Sequence, residues 1–167
     1  MPNNNKKLCY LGLGGNISNE LGTPVQHLLQ AVTTLQKSPE IFNVKMSSIY
    51  RSKAFGVTDQ PDFYNAVVSL KATLDPLALL DICQQLEQSA GRVRLRHWGE
   101  RSLDVDVLLY GDENFQDERL TVPHAGLLER NFVVIPLLEL NPDLIVNGQK
   151  LQALTVANDW EGLEVLL

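Results

Sequence analysis

The chain has 167 residues, of which 44% are hydrophobic, and a formal net charge of -6 at pH 7. A chain of this length buries a sizeable core without disulfides or a structural metal, so we expect one domain over residues 1–167. Nucleic acids and anionic membranes select for a broad basic surface, so the acidic balance argues against both as partners. A site for an anion must therefore be local.

The N-terminus and the two cysteines favour a cytoplasmic protein. The N-terminal residues hold no apolar stretch of signal-peptide length, and no run approaches the roughly 20 apolar residues that would span a bilayer. Cys9 and Cys83 have no Cys/His cluster around them, so we expect both to be reduced core residues. No unusually apolar surface stripe is evident, so we also expect a monomer.

The first half of the chain predicts a strand, a helix and two further strands. Residues 7–14 are short and apolar and end in glycines, which is typical of a buried strand followed by a turn. Apolar residues recur at helical spacing over 24–37, with Thr23 as the N-cap and Pro24 in the first turn. Residues 42–50 and 63–72 predict two strands that are joined by a loop.

The second half continues with a helix, a strand and a further helix. Asp75 caps a helix that runs to about Ala90, and a strand over 102–110 follows a basic loop. The element order β-α-β-β-α-β is typical of ferredoxin-like α+β folds, so we predict that core. Residues 131–140 predict a helix, and 142–167 form a C-terminal extension that packs on the same core.

The strongest chemical signal lies between Gly91 and Tyr110. Four of the seven arginines fall between residues 92 and 101. Asp104 and Asp106 then alternate with apolar residues, so both project from one face of a strand, roughly 6–7 Å apart. Two such carboxylates are costly to desolvate unless a hard divalent cation compensates them. The pattern predicts a metal-polyphosphate site, and from spacing alone a solvated edge-strand pair is the alternative.

Several motifs, inside this run and outside it, add to the signal. They are the segments 13–16 (LGGN), 48–51 (SIYR), 59–66 (DQPDFYNA), 91–92 (GR), 98–106 (WGERSLDVD) and 120–124 (LTVPH). Together they resemble the 6-hydroxymethyl-7,8-dihydropterin pyrophosphokinases of the folate pathway, and the match covers most of the chain. The resemblance implies a ferredoxin-like core and transfer of the terminal pyrophosphate of ATP to the hydroxymethyl group of a reduced pterin, with release of AMP.

The resemblance also implies a magnesium site and a set of phosphate contacts. Asp104 and Asp106 would hold two magnesium ions on the phosphates of ATP, and Arg92 and Arg101 would stabilise charge as AMP leaves. The implied ATP contacts are Gln84, Glu87, Arg94, Trp98, Arg101, Arg119, Thr121, His124 and Arg130. Taken alone, an arginine is as well explained by an exposed ion pair, and Trp98 by a hydrophobic anchor.

The second implied ligand is the pterin, which is flat, polar at its edge and apolar on its faces. Its recognition requires aromatic stacking together with hydrogen bonds of the amide type. The resemblance implies that Phe63 and Phe132 stack on the pterin and that Asn65 pairs with its edge. It implies further that a loop containing Ser52, Lys53 and Phe55 reads the same edge through its backbone.

The chain departs from the family pattern in three places. Phe63 stands where a tyrosine is common, Ala125 follows His124 where an aromatic residue is often found, and the loop over 92–98 is about one residue shorter. Two other functions compete with the resemblance. One is a metal-dependent glycosyltransferase that uses a D-x-D motif, and the other is a catalytically inactive ferredoxin-like module that binds a small ligand.

Overall fold

The computed structural model of the chain describes residues 5–53, 60–91 and 100–166. Within them, antiparallel strands and three helices form an α+β fold. The elements follow the order β1 (Lys7–Gly15), α1 (Pro24–Lys37), β2 (Ile41–Met46), β3 (Tyr50–Ser52), β4 (Phe63–Ala72), α2 (Pro76–Ser89), β5 (Asp104–Tyr110), β6 (Phe115–Gln116), β7 (Thr121–Val122), α3 (Asn131–Leu140), β8 (Ile145–Val146), β9 (Gln149–Lys150) and β10 (Leu163–Val165), with 3₁₀ turns at Leu127–Glu129, Leu151–Ala153 and Thr155–Asn158.

The central sheet has the strand order β10-β3-β4-β1-β5, and β2 pairs with another part of β4. All of its pairs are antiparallel. Strands β6 and β7 form one small hairpin, and β8 and β9 form another. Strand β5 therefore lies at one edge of the sheet, and the C-terminal strand β10 lies at the other.

The helices cover both faces of this sheet. Successive residues of β1 point to opposite faces of the sheet. Leu11 packs in the cluster that contains buried residues of α1 and α2, whereas Tyr10 packs in the cluster that contains buried residues of α3. The second cluster also includes Leu151 from the C-terminal extension. The extension thus packs on the core as predicted, and it adds the edge strand β10.

Helices α1 and α2 begin where predicted because their start signals are local side-chain caps, whereas the start of α3 has no side-chain cap. In α1, Gln26 N donates to Thr23 Oγ1 at 3.2 Å and Thr23 N donates to Gln26 Oε1 at 2.9 Å, a reciprocal capping box. In α2, Ala78 N donates to Asp75 Oδ1 at 2.8 Å. The bounds of α1 and α3 agree with the predicted ranges 24–37 and 131–140.

The predicted strand over 42–50 is wrong in one respect, because it is two strands. Strand β2 ends at Met46, and β3 begins at Tyr50. Between them Ser47 N donates to Val67 O at 2.8 Å, and Val67 N donates to Ser47 Oγ at 2.9 Å. The Ser47 side chain thus takes the place of a backbone acceptor, and the ladder restarts three residues later.

Cys9 and Cys83 are free and fully buried in the core, as predicted. No helix within the described ranges has the length and apolar character needed to cross a membrane.

Candidate active site

A cavity of about 300 Å³ opens beside strands β1, β4 and β5 and the start of α3. It brings together most of the residues that the sequence predicted, both those for ATP and metal and those for the pterin. The predicted residues that line it are Ser52, Lys53, Phe63, Asn65, Arg101, Asp104, Asp106, His124, Arg130 and Phe132. Carboxylates, cations and aromatic rings therefore face one space.

The other predicted residues lie elsewhere. Gln84 and Glu87 lie on α2, and Thr121 lies on β7, and none of these side chains lines the cavity. Arg119 Nη2 donates to Gln84 Oε1 at 3.1 Å and to Asp81 Oδ1 at 2.6 Å on the exposed side of α2. Phe55, Arg92, Arg94 and Trp98 lie outside the described residues.

The two aspartates project from β5 opposite glycines of β1. Asp104 pairs with Gly14 and Asp106 pairs with Gly12 in the ladder. Because glycines lack side chains, the strand opposite the two carboxylates adds no bulk to the cavity that they line. The cavity at this point is thus built by the pairing of a D-x-D strand with a G-x-G strand.

Glu87 fixes the backbone between the two aspartates. Its Oε2 accepts a hydrogen bond from Val105 N at 2.9 Å. Strand β5 is an edge strand, so an outward-facing N–H has no ladder partner and a side chain of α2 supplies one. The structure therefore gives Glu87 a contact with the strand that carries Asp104 and Asp106, which sequence reasoning did not anticipate.

Arg101 and Asp104 form an ion pair in the wall of the cavity. Arg101 Nη1 donates to Asp104 Oδ2 at 2.7 Å, and their side chains are only 16% and 17% exposed. Arg101 Nε is buried and has no hydrogen-bond partner within the described ranges. A buried donor of this kind is costly unless an acceptor reaches it, and an anion in the cavity would supply one.

Asp106 is exposed to the cavity but surrounded by its protein walls. The loss of hydration raises the pKa of its carboxyl, with opposition from the charge of His124, a further rise from Asp104, and opposition from Arg130 and Arg101. A cation would favour the ionised form, since a positive charge nearby stabilises the carboxylate.

The donor set suits a cation that is shared with a substrate. No group of three or more His, Cys, Asp or Glu side chains arranged to hold a metal occurs in the described parts of the chain. Asp104 and Asp106 alone would leave most ligand positions to water and phosphate oxygens. Magnesium bound with nucleotides has that ligand pattern.

His124 and Arg130 also line the cavity, and a tight turn at Gly126 lies between them in the chain. Gly126 N donates to His124 Nδ1 at 3.1 Å, so a neutral His124 ring carries its proton on Nε2 and can donate from there. Arg130 lies across Gly126, where an added Cβ would come within 2.7 Å of Arg130 Nε. Gly126 is thus a site residue that sequence reasoning missed. The available signal was a glycine two residues after the V-P-H motif.

The opposite side of the cavity is built on β3, β4 and α3. Asn65 Nδ2 donates to Ser52 Oγ at 2.7 Å, and Ser52 pairs with Phe63 in the ladder. Gly14 makes room for this amide, because a Cβ there would lie 2.7 Å from Asn65 Oδ1. Phe132, in the first turn of α3, lines the cavity together with Phe63.

Comparisons with known proteins identify the family of the chain. The family model described as 7,8-dihydro-6-hydroxymethylpterin-pyrophosphokinase (HPPK) matches residues 10–142. The chain is 46% identical over 143 residues to 2-amino-4-hydroxy-6-hydroxymethyldihydropteridine pyrophosphokinase of Haemophilus influenzae, covering 86% of this chain and 87% of that protein. It is 42% identical over 156 residues to the protein of the same name from Methylorubrum extorquens, covering 93% and 96%.

A solved structure with a similar fold is the wild-type HPPK-DHPS of Plasmodium falciparum. The TM-score is 0.65 at 15% sequence identity, over 92% of this chain and 41% of that longer chain. At this identity the similarity concerns the fold alone. Because the family model covers residues 10–142 and bacterial relatives reach 46% identity, the chain belongs to the 7,8-dihydro-6-hydroxymethylpterin-pyrophosphokinase family.

Proposed function

We propose that this chain transfers the terminal pyrophosphate of ATP to 6-hydroxymethyl-7,8-dihydropterin in folate biosynthesis. The hydroxymethyl oxygen attacks the β-phosphorus, the bond between that phosphorus and the oxygen of the α-phosphate breaks, and the hydroxyl proton is lost. The products are AMP and the pterin diphosphate. The observation that carries the proposal is that Arg101, Asp104 and Asp106 share one cavity with Phe63 and Phe132.

Such a transfer depends on positioning and on charge neutralisation more than on covalent help from the protein. Asp104 and Asp106 would hold two magnesium ions, which neutralise phosphate charge and polarise the attacking hydroxyl when bound. The Arg101–Asp104 pair supports this role because it places a fixed guanidinium beside the same carboxylate. Arg92 is proposed to act with Arg101 on the leaving AMP.

The remaining phosphate contacts are proposed for residues on both sides of β5. His124 donates from Nε2 to a phosphate oxygen, and Arg130, held across Gly126, adds a positive charge. The proposed nucleotide contacts away from the cavity are Gln84, Glu87, Arg94, Trp98, Arg119 and Thr121. Of these, Arg119 and Gln84 already touch each other, which supports a common role.

The pterin is proposed to stack between Phe63 and Phe132 with its edge toward Asn65. The Asn65–Ser52 hydrogen bond supports this, because it holds the amide in one orientation before a ligand arrives. Lys53 and Phe55 complete the proposed edge-reading loop. Phe63 lacks the hydroxyl of a tyrosine but retains the stacking face.

Several broader features belong to the same proposal. The strand order β3-β4-β1-β5, with helices after β1 and β4, supports a ferredoxin-like arrangement. Packing of the C-terminal extension on the central sheet supports a single domain over residues 1–167. We propose a monomer, and ATP as a co-substrate favours the cytoplasm.

One assay tests the reaction. The protein is incubated with ATP, magnesium and 6-hydroxymethyl-7,8-dihydropterin, and the nucleotide product is identified by chromatography. The proposal expects AMP that forms only when the pterin is present and that disappears when EDTA removes the magnesium. Formation of ADP, or no turnover with both substrates, would contradict the proposed reaction, and full turnover in EDTA would contradict the metal requirement alone.

A further inference from the structure

We infer that Glu139, which lies outside the cavity, is a positioning residue that sets the separation between the two sides of the pterin slot. The inference rests on the proposed function, because the slot is the space between Phe63 and Phe132. Glu139 lies in the last turn of α3, and Phe132 lies in the first. Glu139 does not line the cavity, so its effect on a bound ligand is indirect.

Glu139 accepts four hydrogen bonds from two residues at the start of β3, Ser48 just before the strand and Tyr50 at its first position. Ser48 N donates to Oε2 at 2.9 Å and to Oε1 at 3.1 Å, and Ser48 Oγ donates to Oε2 at 3.0 Å. Tyr50 Oη donates to Oε1 at 2.5 Å. Both carboxylate oxygens are thus engaged by residues about 90 positions away in the chain, with separations of 91 and 89.

These contacts lie on the same stripe of α3 as the aromatic ring. Phe132, Ile135 and Glu139 have the spacing i, i+3 and i+7, and a helix turns through about 100° per residue, so all three face one direction. Seven residues span about 10 Å along the axis. The stripe therefore has Phe132 at the cavity end and Glu139 at the far end.

Between these ends, Tyr50 packs on the same stripe. It is only 3% exposed and forms a small buried cluster with Ile135 and Leu163, against which Phe132 also packs. Burial and the neighbouring Glu139 raise the pKa of the Tyr50 hydroxyl, so it remains a donor at physiological pH. One ring thus connects the hydrogen-bonded end of the stripe to the cavity end.

The strand that Glu139 holds carries the other side of the slot. In the β3–β4 ladder, Tyr50 pairs with Asn65 and Ser52 pairs with Phe63. Tying Tyr50 to α3 therefore fixes Asn65 and Phe63 relative to Phe132. A flat ligand that stacks on two rings is sensitive to their separation, whereas a nucleotide held on β5 is not.

The test uses Glu139→Ala, Glu139→Gln and Tyr50→Phe in the full chain, with Glu40→Ala as the matched control. Glu40 is an exposed glutamate before β2, away from α3. Affinity for 6-hydroxymethyl-7,8-dihydropterin is measured by its fluorescence with magnesium and a non-hydrolysable ATP analogue present. Affinity for the analogue is measured separately by calorimetry.

We expect Glu139→Ala to weaken pterin affinity about tenfold and to change analogue affinity less than about twofold. Glu139→Gln keeps one acceptor oxygen and should lose about threefold, and Tyr50→Phe, which preserves the buried ring, should lose a similar factor. Unchanged pterin affinity in all three variants, or equal losses for both ligands, would overturn the inference. A wild-type chain that does not bind the pterin at all would overturn the proposed function instead, and with it this inference.

Discussion

Asn16 and Arg101 hold each other's backbone at the end of β1. Asn16 N donates to Arg101 O at 2.8 Å, and Arg101 N donates to Asn16 Oδ1 at 2.8 Å. The side-chain Nδ2 of Asn16 donates to Gln60 Oε1 at 2.8 Å and to Pro61 O at 2.9 Å. Asn16 is only 3% exposed, so one buried side chain joins the segments that precede Phe63 and the aspartates.

We expect Asn16→Ala to lower kcat by at least about tenfold, or 1.4 kcal/mol of barrier, because Arg101 N would lose its side-chain acceptor and the backbone of Arg101 would be held less firmly. The free energy of unfolding should fall by about 1–3 kcal/mol, since polar groups now satisfied by the amide would be left buried without partners. Steady-state kinetics and urea denaturation measure the two effects. Gln60→Ala removes one of these contacts and should show a smaller loss of both.

Asn114→Ala is the control, because Asn114 is an exposed asparagine in the turn after β5. It should leave both quantities within error of the wild type. Wild-type kcat in Asn16→Ala would show that Arg101 is positioned by other contacts.

Asp104→Asn and Asp106→Asn should abolish turnover but have opposite effects on stability. Each amide lacks the charge that a magnesium site requires. Asp104→Asn removes the partner of Arg101 in a mostly buried pair and should cost about 1–3 kcal/mol of unfolding free energy. Asp106→Asn should raise Tm at neutral pH, because the loss of hydration between the cavity walls raises the pKa of Asp106, so its charged form destabilises the fold.

Turnover is measured as AMP formation, and Tm by calorimetry without magnesium. Retention of more than about a tenth of the wild-type rate, which is under 1.4 kcal/mol of barrier, would contradict the role assigned to the altered carboxylate. Magnesium with the ATP analogue should raise the Tm of the wild type more than that of either variant, because ligands stabilise only the state that binds them.

Asp81→Asn should lower the KM for ATP about two- to threefold, an effect below 1 kcal/mol that is typical of exposed pairs. Arg119 donates to Asp81 at 2.6 Å, and both side chains are largely exposed. If Arg119 contacts the nucleotide, Asp81 competes with phosphate for the same guanidinium. Asp112→Asn removes an equal charge from an exposed turn and should leave the KM unchanged. A higher KM in Asp81→Asn would mean that Asp81 holds Arg119 in its working position.

The starts of α1 and α2 were predictable because their capping signals are local. Thr23 and Gln26 bond to each other's backbone within one turn, so the pattern alone specifies the start of α1. The break between β2 and β3 was not predictable, because it depends on a hydrogen bond from Val67 N, in another strand, to Ser47 Oγ. Alternation within one strand likewise predicted the shared face of Asp104 and Asp106.

Contacts that cross between elements limited the prediction of the site. Glu87 was expected near the nucleotide, but its bond to Val105 N follows from the edge position of β5, which only the sheet order reveals. Asn16 belongs to the recognised motif 13–16, yet nothing in its sequence neighbourhood indicates a bond to Arg101, 85 residues away. Motif residues could thus be listed from the sequence, whereas the residues that position them could not.

We expect His27, which lies away from the cavity, to make the free energy of unfolding depend on pH. It is buried in α1 and its Nε2 lies 3.0 Å from Asn19 Oδ1. Burial lowers its pKa from the ordinary value of 6.5, with partial opposition from a hydrogen bond to the Gly22 backbone. The unfolded chain therefore binds a proton first as pH falls below about 6.5, so the free energy of unfolding decreases in that window.

We expect His27→Gln, which retains an amide donor for Asn19, to show a smaller decrease in urea midpoint between pH 7.5 and 5.5. Above pH 8 His27 is neutral in both states, so the two proteins should then change in parallel. An equal decrease below pH 6.5 in both proteins would assign the pH dependence to other groups.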